Sequence, residues 1–486
     1  MRMVSWKKIY AWTVKLAWAA FLVCLPVTSF PFFPSKLGGD LIVRPLSMFP
    51  LAALFILVTI PQVLREPVPG TFKTLLPFII AALISSVLSL VQGINSTFGV
   101  SVAQRVLRAS ITLGLGVAIY TTVSIIPRKF GDLRGALRWI YAGFSLALLW
   151  GSIQAAYIVH FSKGYYRWVS RIQKLVSTRR LFENRVSGLT FEPNWFAEQI
   201  CILMIPWLLA SVLNGYSVFR WRWRWLTVEW LLLGWSVGIL AFTFSRAGLL
   251  TVFALVFISL VVLNPARERI SNRASALSRG WRRRLLQASL ALTVITGFVF
   301  FAGSNNSFFS RIWNYWSTRE NTSLAGYIDY LGFGARMIYN ATALNVYQSH
   351  PALGVGLGNY AFYFEDMMPD RLIAETPEVL HLLTLNVERF RLMTPKNLYL
   401  RILAETGIVG MAAFLGFMIA IFGCGLYLYF SPHKEQKFWG TASIYLLAAV
   451  SITALTFDSF AIPNMWVAFG MITAATWISK RWQASP

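Results

Sequence analysis

Charge is scarce in this chain, and acid scarcest of all. Of 486 residues only 13% are charged, with 19 Asp and Glu set against 44 Lys and Arg. That share is about half of what a soluble globular domain carries, too little to keep a soluble fold of this length dispersed. Cysteine is nearly missing. Cys24, Cys201 and Cys424 all fall inside apolar runs, with no CxxC and no Cys/His metal spacing. A disulfide framework and a metal cluster are therefore not expected, and the thiols read as packing residues. There are no long-period repeats and no low-complexity tails.

What the chain has instead is apolar length. It is 56% hydrophobic, with a mean hydropathy of +0.58. Runs of about twenty apolar residues, long enough to cross the hydrocarbon core as helices, fall near 10–30, 45–64, 74–92, 106–127, 138–160 and 194–213. Others fall near 226–244, 247–263, 285–303, 407–430, 439–457 and 461–479. The expected fold is all-α: a polytopic transmembrane helix bundle of about 12 spans. It forms a single domain over 1–486, with a large external loop segment at 304–397 between spans 9 and 10. Arg2, Lys7 and Lys8 precede the first run with no convincing cleavage site before Pro31. That predicts a retained first span and a cytoplasmic N-terminus.

A net charge of +25 would suggest nucleic acid in a soluble protein. Here most basic residues lie between apolar runs, where positive-inside topology and headgroup contact account for them. Arg128-Lys129, Arg134, Arg138, Arg220, Arg222, Arg224, the run from Arg267 to Arg284, and Lys480-Arg481 all fall on the cytoplasmic side, which also places the C-terminus there. Two segments break the pattern and fall outside: the basic stretch 161–193, and the segment 304–397. Long loops of this kind are often functional. The second carries a helical pattern from Ala335 to Gln348, with Met337, Ala341, Leu344 and Gln348 on one stripe, expected at the outer interface.

External arginines call for anions, and the planar guanidinium fork suits phosphate oxygens. Arg246 lies in Phe244-Ser245-Arg246-Ala247-Gly248, a junction too short for a free loop, so it is held at the membrane surface. It is either a phosphate ligand or a snorkelling anchor. Arg185 precedes Glu192-Pro193-Asn194, where Asn194 is the expected cap of the sixth span. Glu198 lies a turn further in and needs a partner, for which an Arg–Glu pair is the structural reading. Arg336 opens the amphipathic segment and reads, taken alone, as a solvated or headgroup-facing charge. His350-Pro351 leads into Gly354-x-Gly356-x-Gly358, which is no dinucleotide fingerprint and predicts a tight loop with close backbone approach. Lys396-Asn397 opens the next helix, where a cation opposes the macrodipole.

Three ordered pieces together resemble the O-antigen ligase and polymerase family of bacterial envelope enzymes. They are the stretch from Arg185 to Asn194, the Ser245-Arg246-Ala247-Gly248 junction, and the path from Arg336 through His350-Pro351 and the three glycines to Asn397 and Glu405-x-Gly407. The resemblance covers roughly 180–480; the earlier spans match in hydropathy alone. It implies a metal-independent, cofactor-free glycosyltransferase of the bacterial cytoplasmic membrane. The donor would be a polyprenyl-diphosphate-linked glycan on the outer face, and the acceptor a second glycan or a lipid. By resemblance Arg185 and Arg246 hold the diphosphate and stabilise the leaving group. Arg336 is a third candidate, and Glu192, Asn194, His350 and Asn397 are further substrate contacts. The family often has His-Asn where this chain has Lys396-Asn397. Lys396, partly desolvated among arginines, would then be the base or one more phosphate ligand. Otherwise the base falls to His350, His381 or Glu192, or is dispensable. The competing readings are a polysaccharide or lipid transporter, which predicts inverted repeats and mid-membrane charge, and an envelope scaffold, whose arginines bind lipid only.

Overall fold

A computed structural model describes residues 6–34, 42–94, 96, 99–224, 226–260, 310–317, 324–369 and 392–484. The expected span at 285–303, the basic run from Arg267 to Arg284 and His381 lie outside the described residues. The chain is a membrane protein, and its described residues are mostly helical. Among the described residues the strands are one two-residue hairpin, Arg222–Trp223 against Leu226–Thr227.

Among the described residues six helices are long and apolar enough to cross a membrane: Met48–Arg65, Gly70–Ser89, Val102–Ile125, Phe130–Val159, Pro193–Asn214 and Leu398–Tyr429. Val228–Phe242 and Arg246–Ile258 are apolar but shorter. Trp6–Val23, Lys434–Thr453 and Pro463–Ala484 pack with them. Leu398–Tyr429 packs along Gly70–Ser89 and Lys434–Thr453, and Pro463–Ala484 packs against Val102–Ile125. Aromatic pairs fill the seams: Phe78 lies 5.2 Å from Phe414, and Trp207 5.2 Å from Trp439, between ring centroids. Hydroxyls link helices inside the bundle, as Tyr120 does with Thr71 and Thr473. Such bonds add modest glue where lipid removes the hydrophobic drive. Outward faces stay apolar, for example Leu76, Ile80, Leu83, Ile84 and Val87 along one helix. In water this row would be an aggregation surface; in lipid it is solvated.

Pro206 lacks an amide donor, and the Pro193–Asn214 span divides at Met204 into Pro193–Leu203 and Ile205–Asn214. The expected helix over Ala335 to Gln348 is present as Gly334–Ser349. Its Met337 and Leu344 stripe is the exposed face, while Ala335, Ile338, Tyr339, Ala343 and Val346 pack inward, toward the start of Leu398–Tyr429.

That last helix is broken. Gly407 has φ 63 and ψ −166 inside it, and the loop after His350 docks into the gap. The Val355 and Gly356 N–H groups donate to the Ala404 and Glu405 carbonyls, and the Ile408 N–H donates to the Pro351 carbonyl. The glycine-rich segment thus completes a helix backbone, and no phosphate-cradling role is needed to explain it.

Candidate functional site

The site is assembled from four turns at one end of the bundle. The first carries Arg185. The Gln154 amide clamps this turn, its oxygen accepting from the Ser187 and Gly188 N–H groups at 3.0 and 2.9 Å and its nitrogen donating to the Gly188 carbonyl. Arg185 is 8% exposed; its Nε donates to the Thr243 carbonyl and an Nη to Asn194 Oδ1, both at 2.8 Å. Burial pushes its pKa down to about 10, and nearby Arg246 and Arg179 push the same way against the pull of Glu192. It is still charged at neutral pH.

The second turn, Thr243 to Ser245, joins two apolar helices. Ser245 caps Arg246–Ile258 by accepting from the Gly248 N–H. This orients Arg246, which donates to the Leu331 carbonyl at 2.9 Å and lies over the Phe333 ring. Arg246 therefore grips the third turn, the one that opens the helix bearing Arg336. Arg336 is half-buried, and it makes no hydrogen bond or ion pair with any described residue. Burial lowers its pKa, opposed by the carboxylates of Asp458 and Glu192. Glu192 in turn pairs with Arg179, whose guanidinium stacks over Phe182 and Phe191.

The fourth turn holds Asp458. Its carboxylate accepts from the Lys396 backbone N–H at 2.8 Å, and its carbonyl accepts from buried Arg401, which also pairs with Glu405. Lys396 has a φ of 57, and its side chain is exposed. Arg105 lies within electrostatic reach of Arg401, Glu405 and Asp458 and donates to the Gly358 carbonyl.

Arg185, Arg246, Arg336 and Glu192 thus form one electrostatic group, and Asp458 joins it to the backbone of Lys396. The folded chain alters several of these expectations. Glu192, not Asn194, holds the N-cap position of Pro193–Leu203. Pro193 fills the first helical position, so the Asn194 oxygen is left to receive Arg185. Glu198 does not pair with arginine; it accepts from Asn464. The exposure of Lys396 removes the desolvation on which its role as a base depended. His350 ends the Gly334–Ser349 helix, fourteen residues and so about 21 Å from Arg336. There it bonds Ser349 and edges Tyr363, apart from the arginines. Asn397 caps its helix, accepting from the Tyr399 and Leu400 N–H groups. Replacing it by alanine should cost about 1 kcal/mol of thermal stability, and serine should restore most of it. An Asn397→Ala protein that melts normally but transfers no glycan would instead give Asn397 a direct substrate contact.

Asp458, Arg179 and Arg401 join the site without belonging to any of the expected site residues. The available signals were an acid at the junction of the last two apolar runs, and an Arg401/Glu405 pair one helical turn apart. Among the described residues no group of three or more His, Cys, Asp or Glu could hold a metal ion.

A family model described as O-antigen ligase matches residues 231–415. The match bears out the resemblance, and its interval takes in Arg246, Arg336, His350, Lys396 and Asn397; Arg185 and Glu192 precede it and Asp458 follows. No curated protein matches the chain.

Proposed function

With an O-antigen ligase segment across residues 231–415 as the premise, we propose that this membrane protein transfers a glycan from a polyprenyl-diphosphate donor to an acceptor hydroxyl, as a polymerase or a ligase. The observation that carries the reading is Arg336. A half-buried guanidinium facing two carboxylates, yet bonded to no described residue, keeps its donors for something else. Glu192 lies within electrostatic reach of both Arg336 and Arg185, and Arg185 within reach of Arg246; Arg185 and Arg246 are each fixed by a carbonyl of a neighbouring turn. Planar guanidinium forks of this kind suit the oxygens and the charge of a diphosphate.

In the reaction, the acceptor oxygen forms a bond to the anomeric carbon while the bond from that carbon to the diphosphate oxygen breaks. The electron pair leaves with the diphosphate, and the arginines stabilise the growing charge. The hydroxyl proton passes to Glu192, the base candidate that the cluster retains. Lys396, exposed at the rim, draws the anionic donor in. The cluster lies at the opposite end of the bundle from Arg128, Lys129, Lys434, Lys480 and Arg481. If those basic short loops face the cytoplasm, the site opens to the outer face of the cytoplasmic membrane, and both termini are cytoplasmic.

The test uses Arg246→Ala and Arg185→Ala in cells carrying the lipid-linked glycan. Each should lower transfer by about two to three orders of magnitude while the protein stays in the membrane, and carrier-linked units should accumulate. Lysine at either position should rescue poorly, because it lacks the fork. Normal surface glycan in both alanine variants would reject the diphosphate role.

A further inference from the structure

A second charged site lies at the far end of the same bundle. A cavity of 670 Å³ is walled by Arg128, Lys129, His433, Lys434, Gln436 and Arg481, with Trp482 at its edge. The volume is more than structural water requires and falls in the range of ligand sites. Along the Leu398–Tyr429 helix it is separated from the arginine cluster by roughly 45 Å.

The acids at this cavity, the wall residue Glu435 among them, are already engaged. Glu66 bridges Arg128 and Arg481, and Glu435 accepts from Arg134 and Tyr216. Lys129 and Lys434 have no carboxylate within ion-pair distance among the described residues. A second, independent sign is Gln436. This wall residue is 1% exposed, its oxygen accepts from Ser431, and its Nε2 donor has no partner among the described residues. Phe130–Val159 and Lys434–Thr453 both open beside this cavity, and Asp132, in the first turn of the former, accepts from the Arg128 and Lys129 N–H groups.

We propose that this cavity binds a phosphate-bearing anion, the phosphodiester of an anionic phospholipid headgroup. The position favours lipid over a soluble anion. Exposed Trp482 meets His433 edge-on at 4.7 Å between ring centroids, beside Lys480, at the polar end of an apolar bundle. Aromatic and basic residues at that depth are headgroup anchors. The proposal does not depend on the transfer reaction, since no residue of this cavity belongs to the arginine cluster.

The experiment titrates the purified full-length protein in detergent with phosphatidylglycerol, phosphatidylcholine or inorganic phosphate, following the melting temperature and bound lipid by native mass spectrometry. Phosphatidylglycerol should raise the melting temperature saturably and bind on the order of tenfold tighter than phosphatidylcholine. The Lys129→Gln/Lys434→Gln protein should lose that preference, and the Lys129→Arg/Lys434→Arg protein should keep it. Protection by inorganic phosphate that disappears in the glutamine variant would support the phosphate chemistry and assign it to a soluble anion. Equal binding of both lipids with no phosphate effect, or an unchanged preference in the glutamine variant, would overturn the proposal. All the substituted side chains are exposed, so folding is not at stake.

Discussion

Arg336→Ala should reduce glycan transfer by about two to three orders of magnitude, or about 3–4 kcal/mol of transition-state stabilisation, with little change in melting temperature. The two halves of this expectation come from the same fact. Arg336 bonds no described residue, so no hydrogen bond or ion pair is lost with it. Removing it even relieves a burial cost, which now depresses its pKa. Arg185 offers the contrast. It ties the Thr243 carbonyl to Asn194, so Arg185→Ala should lose stability along with activity. Transfer measured on purified lipid-linked donor, beside melting curves, separates the two. If Arg336→Ala melts far below the native protein, its guanidinium is structural. If it transfers at the native rate, the diphosphate lies elsewhere.

Gly407→Ala should destabilise the protein by more than about 3 kcal/mol and abolish its accumulation in the membrane. The backbone there has φ 63 and ψ −166, a region open in practice to glycine alone. A Cβ at this position would lie 2.3 Å from the Ala352 carbonyl oxygen. Glycine-rich docking answers from the other side: at Gly354, with φ 68, a Cβ would lie 2.5 Å from the Glu405 carbonyl carbon. The two backbones meet with no room for a side chain between them. Glu405 and Thr406 sit at this crossing, one turn beyond Arg401, so the break also sets where the Arg401–Glu405 pair lies under Asp458. Gly354→Ala should therefore behave like Gly407→Ala. Normal expression and melting of either variant would show that the loop can dock another way.

The arginines illustrate how far residue patterns reach. The tight junction around Arg246 is visible as two apolar runs with no spacer, and the structure keeps it as a three-residue turn capped by Ser245. The Arg185 to Asn194 stretch is visible as a basic loop meeting Pro193. Its internal geometry is not, because Gln154, thirty-one residues upstream, holds the turn. Lys396 shows the opposite failing. A lysine among arginines in the sequence was expected to be desolvated, but burial is a property of neighbours in space, and the Asp458 turn holds only its backbone.

The sequence by itself determined the solvent of this protein: scarce charge and long apolar runs admit lipid and little else, since a hydrocarbon core accepts only backbones that bond internally. It also determined which residue types were on hand for an anion. Only the tertiary structure decided which of them meet. Arg336, Glu192 and Asp458 lie more than a hundred residues apart, on elements whose docking depends on backbone bonds at Gly407 and Gly354. Local periodicity carries no information about such pairings, because their energy comes from surfaces that exist only after the helices have packed.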